Sequence, residues 1–285
     1  MSPLRRFSAN RGAVVGAALV IIVIAFALVA PHFGKDPLAR DIDHGLTELG
    51  SPLGPSSHAL LGTDHLGRDV LARLIAGART SLVIAFISTS VALAIALLIG
   101  LTAGYAGGRL DAFLMRLVDL SMAFPVILLA ILLAALLREA DLANADAPVV
   151  LTLGGVSWTT MARLIRGKAM TVMRSEYVLA ARALGASPVR VIVRHVLPNV
   201  AGVVIVVAAI GFAQNLLAES VLSYVGLGPP PPAPTWGRML FEGRNYYRSA
   251  PHLVLAPGLA IGIAVIAFNL LAEGLRDALD PKGAR

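Results

Sequence analysis

Six stretches of this chain are apolar for long enough to dictate its surroundings: Ala13 to Ala30, Leu82 to Ala103, Leu117 to Leu137, Val149 to Ile165, Val200 to Leu222 and Leu253 to Ala272. A hydrocarbon core about 30 Å thick is crossed by roughly 20 residues of helix. Six runs come close to that length, so the expected fold is an all-α integral membrane protein with six transmembrane helices. The fourth run is the weakest, because it holds Gly154, Gly155, Ser157, Thr159 and Thr160. It is kept as a span because without it the basic loops on either side would fall on opposite faces of the membrane.

Composition agrees. Of 285 residues, 57% are hydrophobic and 14% charged, against about 25% charged in a typical soluble domain. Cysteine is absent, which removes disulfides, thiolate nucleophiles and cysteine-ligated zinc. The net charge of +7 would suit a nucleic-acid binder only if Lys and Arg shared one soluble face. Here they sit between apolar runs, as loop charges that set membrane orientation do. With the N-terminus inside, the inner segments hold Arg5, Arg6, Arg11, Arg109, Arg116, Arg163, Arg166, Lys168, Arg174, Arg182, Arg190, Arg194, Arg276, Lys282 and Arg285, which is 15 of the 24 Lys and Arg. Both termini are therefore expected in the cytoplasm. The first run exceeds the 7 to 15 residues of a cleaved signal and is followed by Pro31, so it reads as a retained anchor.

The expected organisation is a cytoplasmic N-terminus (1–12), a first span (13–30), an external segment with an interfacial helix (31–81), and a five-helix core (82–272). The core includes a cytoplasmic loop (166–199) and an external loop (223–252), and a cytoplasmic tail (273–285) follows. Within the cytoplasmic loop, Glu176 to Leu184 reads as helix, with Gly185 free to take the left-handed position that ends it. Ser187 can cap a second helix and Pro188 fits its first position. In that second helix Val189, Ile192, Val193 and Val196 recur at helical spacing, with Arg190 and Arg194 on another face. Pro198 is expected to end the unit. Basic amphipathic helices lie well on anionic lipid, and a docking element for a soluble partner fits equally. The small residues Ala180, Ala181 and Gly185, with Leu184, favour a protein partner, because lipid needs no close-approach patch.

Here the chain resembles a family. "AARALG", nine residues and "HVLPN" are similar to the EAA loop of permeases in ATP-binding-cassette importers, whose pattern is Glu-Ala-Ala, three residues, Gly, nine residues, Ile-x-Leu-Pro. Ala180, Ala181, Gly185, Leu197 and Pro198 match. Leu179 stands in place of the Glu and His195 in place of the Ile, with Glu176 one turn before. "LGTDHLGRDVLARLIAGARTSL", "SYVGLGPPPPAPTWGRML" and "PGLAIGIAVIAFNLLAEGLRDALDPK" also resemble the C-type permease of dipeptide, oligopeptide and nickel importers, so the likeness covers Leu61 to Lys282.

The resemblance implies a bacterial inner-membrane subunit that shares a pore with a second, B-type permease. It also implies two cytoplasmic ATPases, which use ATP and magnesium, and an extracytoplasmic solute-binding protein. No cofactor is expected in this chain. The helical hairpin becomes the ATPase-docking element, through Glu176, Ala180, Ala181, Leu184, Gly185, Leu197 and Pro198. A self-sufficient secondary transporter or channel is the alternative, although such proteins carry intramembrane acid and base relays that this chain largely lacks.

The chain has no G-x-x-x-x-G-K-[ST], H-E-x-x-H or G-x-S-x-G, so hydrolysis belongs to other subunits. His65 and Asp69 are one helical turn apart, but two ligands make no metal site, and Asp64–Arg68 and Asp69–Arg73 can pair at the same spacing. Leu66, Val70, Leu71, Leu74 and Ile75 suggest the interfacial helix. The tract Gly228 to Pro234 reads as a stiff spacer that sets Trp236 and Arg238 at the interface. Arg238, Arg244 and Arg248 are candidates for contact with the binding protein. Gln214, Asn215 and Glu219 are candidates for the translocation path. Asp119 is expected to pair with Arg116, and Pro125 and Pro257 to bend their helices. Gly12/Gly16, Gly104/Gly108 and Gly258/Gly262 are candidate close-packing pairs.

Overall fold

The structure, a computed structural model, describes residues 3–29, 35–139 and 146–279. The first span's predicted end at Ala30, Pro31, and the tail cations Lys282 and Arg285 lie outside the described residues. Among the described residues thirteen α-helices follow one another: α1 (Pro3–Ala9), α2 (Arg11–Val29), α3 (Ile42–Gly45), α4 (Val70–Ala106), α5 (Gly108–Met122), α6 (Val126–Arg138), α7 (Ala147–Val156), α8 (Trp158–Met173), α9 (Glu176–Ala183), α10 (Pro188–Val191), α11 (Leu197–Tyr224), α12 (Trp236–Gly243) and α13 (His252–Leu279). Among the described residues there is no strand beyond two isolated bridges, Leu46 with Pro52 and Thr63 with Asp69.

The molecule has two recognisable ends. At one, Asn10 Nδ2 donates to Asp277 Oδ2 at 2.9 Å, and Gly202 near the start of α11 lies against Leu279. The turn between α9 and α10 is at this end too. At the other, residues 35–69 and α12 form a cap over the starts of α4 and α13. Trp236 Nε1 donates to the Leu74 carbonyl at 3.0 Å, and His252 Nε2 lies 3.2 Å from the Thr63 carbonyl. The chain runs between the ends six times, through α2, α4, α6, α7 with α8, α11 and α13. Four continuous helical stretches are long and apolar enough to cross a bilayer on their own: Arg11–Leu28, Val70–Ala106, Pro188–Tyr224 and His252–Leu279. A bent pair, α5 with α6, makes a fifth.

Two predicted spans differ from straight helices. The third, Leu117 to Leu137, breaks between α5 and α6, which meet at 86°. Pro125 sits at the start of α6 in extended geometry, φ −57°, ψ 120°, and cannot donate the N–H that would carry α5 onward. The fourth is split at Ser157 into α7 and α8, and α8 continues to Met173, so the predicted loop 166–199 begins with two turns of helix. The predicted interfacial helix is also corrected. Asp69 caps α4, accepting from the Ala72 N–H at 3.1 Å, and one helix of 37 residues runs from Val70 into the membrane. Val70, Leu74 and Ile75 are buried under the cap rather than laid on lipid. α13 passes through Pro257 without a break.

Close helix contacts rest on small residues, as membrane packing demands. A β-carbon at Gly16 would come within 2.6 Å of the Leu271 nitrogen, one at Gly104 within 2.7 Å of Ala169 Cβ, and one at Gly100 within 2.7 Å of the Ala162 carbonyl. Of the predicted glycine pairs only Gly16 and Gly104 serve this purpose. Gly262 and Gly108 face open space.

Candidate functional site

The α9–α10 hairpin is built by local chemistry. Gly185 takes φ +80°. Its N–H donates to the Arg182 carbonyl at 3.0 Å and the Ala186 N–H to the Ala181 carbonyl at 3.1 Å. These are the two bonds that close a helix with a left-handed glycine. Ser187 then accepts from the Arg190 N–H and Pro188 opens α10.

Pro198 does not end the unit. Residues Ile192–Val196 form a π-helical turn, in which the Leu197 N–H reaches back to the Ile192 carbonyl. Asn199 Nδ2 donates to the His195 carbonyl at 2.7 Å. The extra residue in the turn absorbs the proline's missing N–H. The helix therefore continues from Pro188 to Tyr224, and the hairpin's second arm is the end of a membrane helix.

The inner face of the hairpin is Val178, Val191 and Val196, all fully buried against α8 and α4. This corrects the predicted apolar face: Val189 is 71% and Val193 57% exposed, alongside Leu184 at 89% and Leu179 at 50%. Four large apolar side chains thus stand free on the hairpin. Glu176, Ala180 and Gly185 are exposed there and Ala181 is half-buried. Leu197 packs into the core beside α8, and Pro198 is exposed at the base. The Tyr177 and His195 rings, 6.4 Å apart, and Arg182, whose guanidinium lies 5.7 Å from the Tyr105 ring centroid, brace the hairpin. Among the described residues Glu176 makes no ion pair.

The predicted path residues do not share a face. Gln214 is exposed, whereas Asn215 and Glu219 are fully buried inside this subunit. Asn215 donates to Thr89 Oγ1 at 3.0 Å and accepts from Ser157 Oγ at 2.6 Å, tying α11 to α4 and to the break between α7 and α8. Glu219 accepts from Ser223 Oγ at 2.6 Å. The hydroxyls of Ser81, Ser220 and Thr235 also lie near the carboxyl group, whose Oε2 takes no hydrogen bond among the described residues. One carboxylate thus gathers α4, α11 and the start of α12.

Arg238, proposed for an external partner, is paired internally: its Nε donates to Glu242 Oε1 at 2.9 Å. Arg244 lies over the Phe241 ring at 3.9 Å and Arg248 beside Tyr247 at 5.4 Å, both at the cap. Trp236 is 2% exposed, so it plugs the cap against α4 rather than resting at an interface.

Beneath it lies a charge network that i, i+4 spacing reveals only in part. Asp64 pairs with Arg68 at 2.7 Å, as expected, and also with Arg73. Glu242 takes Arg73 at 2.7 Å and Arg68 at 3.0 Å. Asp69, expected to hold Arg73, instead caps α4 and meets Lys35 at 3.3 Å. Burial would raise the Asp64 carboxyl, but Arg73, Arg68 and the N–H groups of Leu66 and Arg68 outweigh it and hold it below its ordinary value. Glu242 behaves likewise: Arg73, Arg68 and Arg238 overcome its burial.

Asp64, His65 and Glu242 bring three potential ligand atoms within 4.8 Å of one another, a grouping different from the predicted His65 and Asp69. Both carboxylates are already held by guanidinium groups, so a cation would have to displace them. On the hairpin side Asp119 pairs with Arg163 rather than Arg116, and Asp111 with Arg166, at 2.5 Å for Nη2 to Oδ2.

Membrane helices, a left-handed-glycine hairpin continuous with one of them, and a folded cap at the far end define a class: a multi-pass transport permease subunit. Residues 96–284 match the family model described as binding-protein-dependent transport system inner membrane component. Residues 3–47 match the N-terminal membrane domain of oligopeptide transport permease C.

The chain belongs to the binding-protein-dependent transport permease family. It is 40% identical over 286 residues to a di/tripeptide transport system permease protein of Pseudomonas aeruginosa, covering 99% of this chain and 93% of that one. It is 38% identical over 279 residues to a dipeptide transport system permease protein of Alkalihalophilus pseudofirmus, covering 98% and 88%. It is 34% identical over 278 residues to an oligopeptide transport system permease protein of Bacillus subtilis, covering 97% and 88%. The chain is accordingly an inner-membrane permease subunit of an ATP-driven, binding-protein-dependent importer, and not an enzyme or a self-sufficient transporter.

Proposed function

We propose that this subunit imports peptides of a few residues, and that the α9–α10 hairpin is where ATP-driven motion enters it. The reading rests on one observation: an exposed apolar tip (Leu179, Leu184, Val189, Val193) is joined through a π-turn to an unbroken membrane helix. An element seated in a moving ATPase would then carry its displacement into α11 without a slack joint. Full-length similarity to di- and tripeptide permeases supports the cargo class. Physical need supports the route, because each unpaired peptide amide costs several kcal/mol in hydrocarbon.

In this reading the hairpin end, with both termini, faces the cytoplasm and two ATPases that use ATP and magnesium. The cap, with Arg244 and Arg248, faces the solute-binding protein. A second, B-type permease completes the pore. Gln214, on the outer face of α11, remains a candidate for its lining.

The test is co-purification of the ATPases with Leu184→Glu and, separately, Gly185→Arg. Both sites are open in this chain, although Gly185→Arg also strains a positive-φ position. Loss of a docking hot spot costs about 2 kcal/mol, roughly thirtyfold in affinity. ATPase recovery at the unsubstituted level with Leu184→Glu would remove the docking surface.

A further inference from the structure

α2 and α11 both pack on α4 and α13, and between them they leave a groove of about 490 Å³. Ala27, Leu82, Phe212 and Phe268 are buried in its floor. The Phe212 and Phe268 rings lie 4.0 Å apart there. Small residues, Ala208 and Ala209 on α11, create the space, and its rim of Leu28, Val83 and Phe86 is exposed at the flank of the bundle.

Nothing inside the groove asks for a polar ligand. Thr89 Oγ1 donates to the Ala85 carbonyl and Ser90 Oγ to the Phe86 carbonyl. A peptide in this groove would leave its amides unpaired, so it is not a translocation route.

One charge breaks the pattern. Arg79 lines the groove at its cap-side mouth, and it makes no hydrogen bond or ion pair with the described residues. It shares that level with Leu28, next to the last residue of α2. This is the depth at which a transmembrane segment gives way to headgroups and where a cationic side chain reaches for phosphate. From Arg79 to Leu93 the groove follows 14 residues of α4, about 21 Å of helix, enough for an acyl chain that fills a leaflet of about 15 Å.

We propose that this groove is a binding site for a glycerophospholipid of net negative headgroup, its phosphate on Arg79 and one acyl chain along α4 between α2 and α11. Charge complementarity selects this occupant. A helix of another subunit laid over the groove would cover an unpaired guanidinium, a costly burial that a phosphate avoids. A zwitterionic lipid brings its own cation to compete for that phosphate.

The full chain, purified in mild detergent, is titrated with phosphatidylglycerol and with phosphatidylcholine, and bound lipid is counted by native mass spectrometry. Phosphatidylglycerol is expected to bind more tightly. Arg79→Gln should weaken it about tenfold, the scale of one charge-assisted bond, and bring the two lipids level. Ala209→Leu, which fills the groove and keeps the charge, should displace both. Arg116→Gln, an exposed arginine at the hairpin end, should change nothing.

Unchanged phosphatidylglycerol binding in Arg79→Gln overturns the site, as does an equal loss in Arg116→Gln, which would mean unspecific adsorption. A cross-link from Val83→Cys to the second permease subunit in the assembled complex would also overturn it, showing the groove covered by protein. None of these readouts depends on ATPase docking or on the cargo.

Discussion

Arg73 is 2% exposed and shared by two carboxylates that come from segments far apart in sequence, Asp64 and Glu242. A buried ion pair is no guarantee of net stability, but removing one partner strands the others and costs about 3 to 5 kcal/mol. Both acids titrate below their ordinary values in the folded protein. Their contribution is therefore fully present above the unfolded-state carboxylate range of about 4 and is lost as pH falls through the depressed folded values. Arg73→Leu is expected to lower thermal stability in detergent at neutral pH. It should also move the acid-side loss of stability to higher pH, because both carboxylates keep Arg68, and Glu242 also Arg238, but lose the largest influence holding them down, so their folded values rise towards the unfolded ones. Melting curves of both proteins between neutral and acid pH check this, and superimposable pH dependences would rule out the network's role.

At the scale of elements, the joint between hairpin and membrane helix carries the proposed mechanism. Helix continuity from Pro188 to Tyr224 survives Pro198 only through the π-turn and the Asn199 bond to the His195 carbonyl. Two glycines inserted after Asn199 cost about 2 kcal/mol of helix, enough to favour a bent joint about thirtyfold. The expected outcome is full ATPase binding with uptake reduced at least tenfold, measured on the same membranes. Uptake near the unmodified level would mean that force does not travel along this helix.

The turn itself was legible in the sequence, because Gly185, Ser187 and Pro188 act through their own backbone. The buried face was not. Val191 and Val196, rather than Val189 and Val193, meet α8 and α4, and the choice depends on neighbours that spacing does not reveal. The same limit explains Asp119, whose partner Arg163 is 44 residues away, and Asn215 and Glu219, whose polarity suggested a pore and whose partners are hydroxyls inside the subunit. α4 outran its predicted start because Val70 to Ser81 is equally amphipathic on lipid or under a protein cap.

For the whole molecule, the contacts at each end divide the chain into two sides without reference to any bilayer. Asn10 with Asp277, and Gly202 with Leu279, put the start of α2, the start of α11, the hairpin and the end of α13 together. Trp236 with Leu74, and His252 with Thr63, put the cap, α12 and the start of α13 together. Six passes between these ends demand that Ser8 and Ala183 share one side and Ser57 the other, and the proposed orientation, which rests on the excess of Lys and Arg at the hairpin end, puts that side in the cytoplasm.

The chain has no cysteine of its own, so single substitutions report without background. Ser8→Cys, Ala183→Cys and Ser57→Cys are all exposed positions. In intact spheroplasts a membrane-impermeant maleimide should label only Ser57→Cys, and permeabilised cells should label all three. Labelling of Ala183→Cys before permeabilisation would put the hairpin on the wrong side for any ATPase. Labelling of Ser8→Cys alone would leave docking possible but break the six-pass arrangement, because the Asn10 to Asp277 contact ties the start of α2 to the hairpin's side.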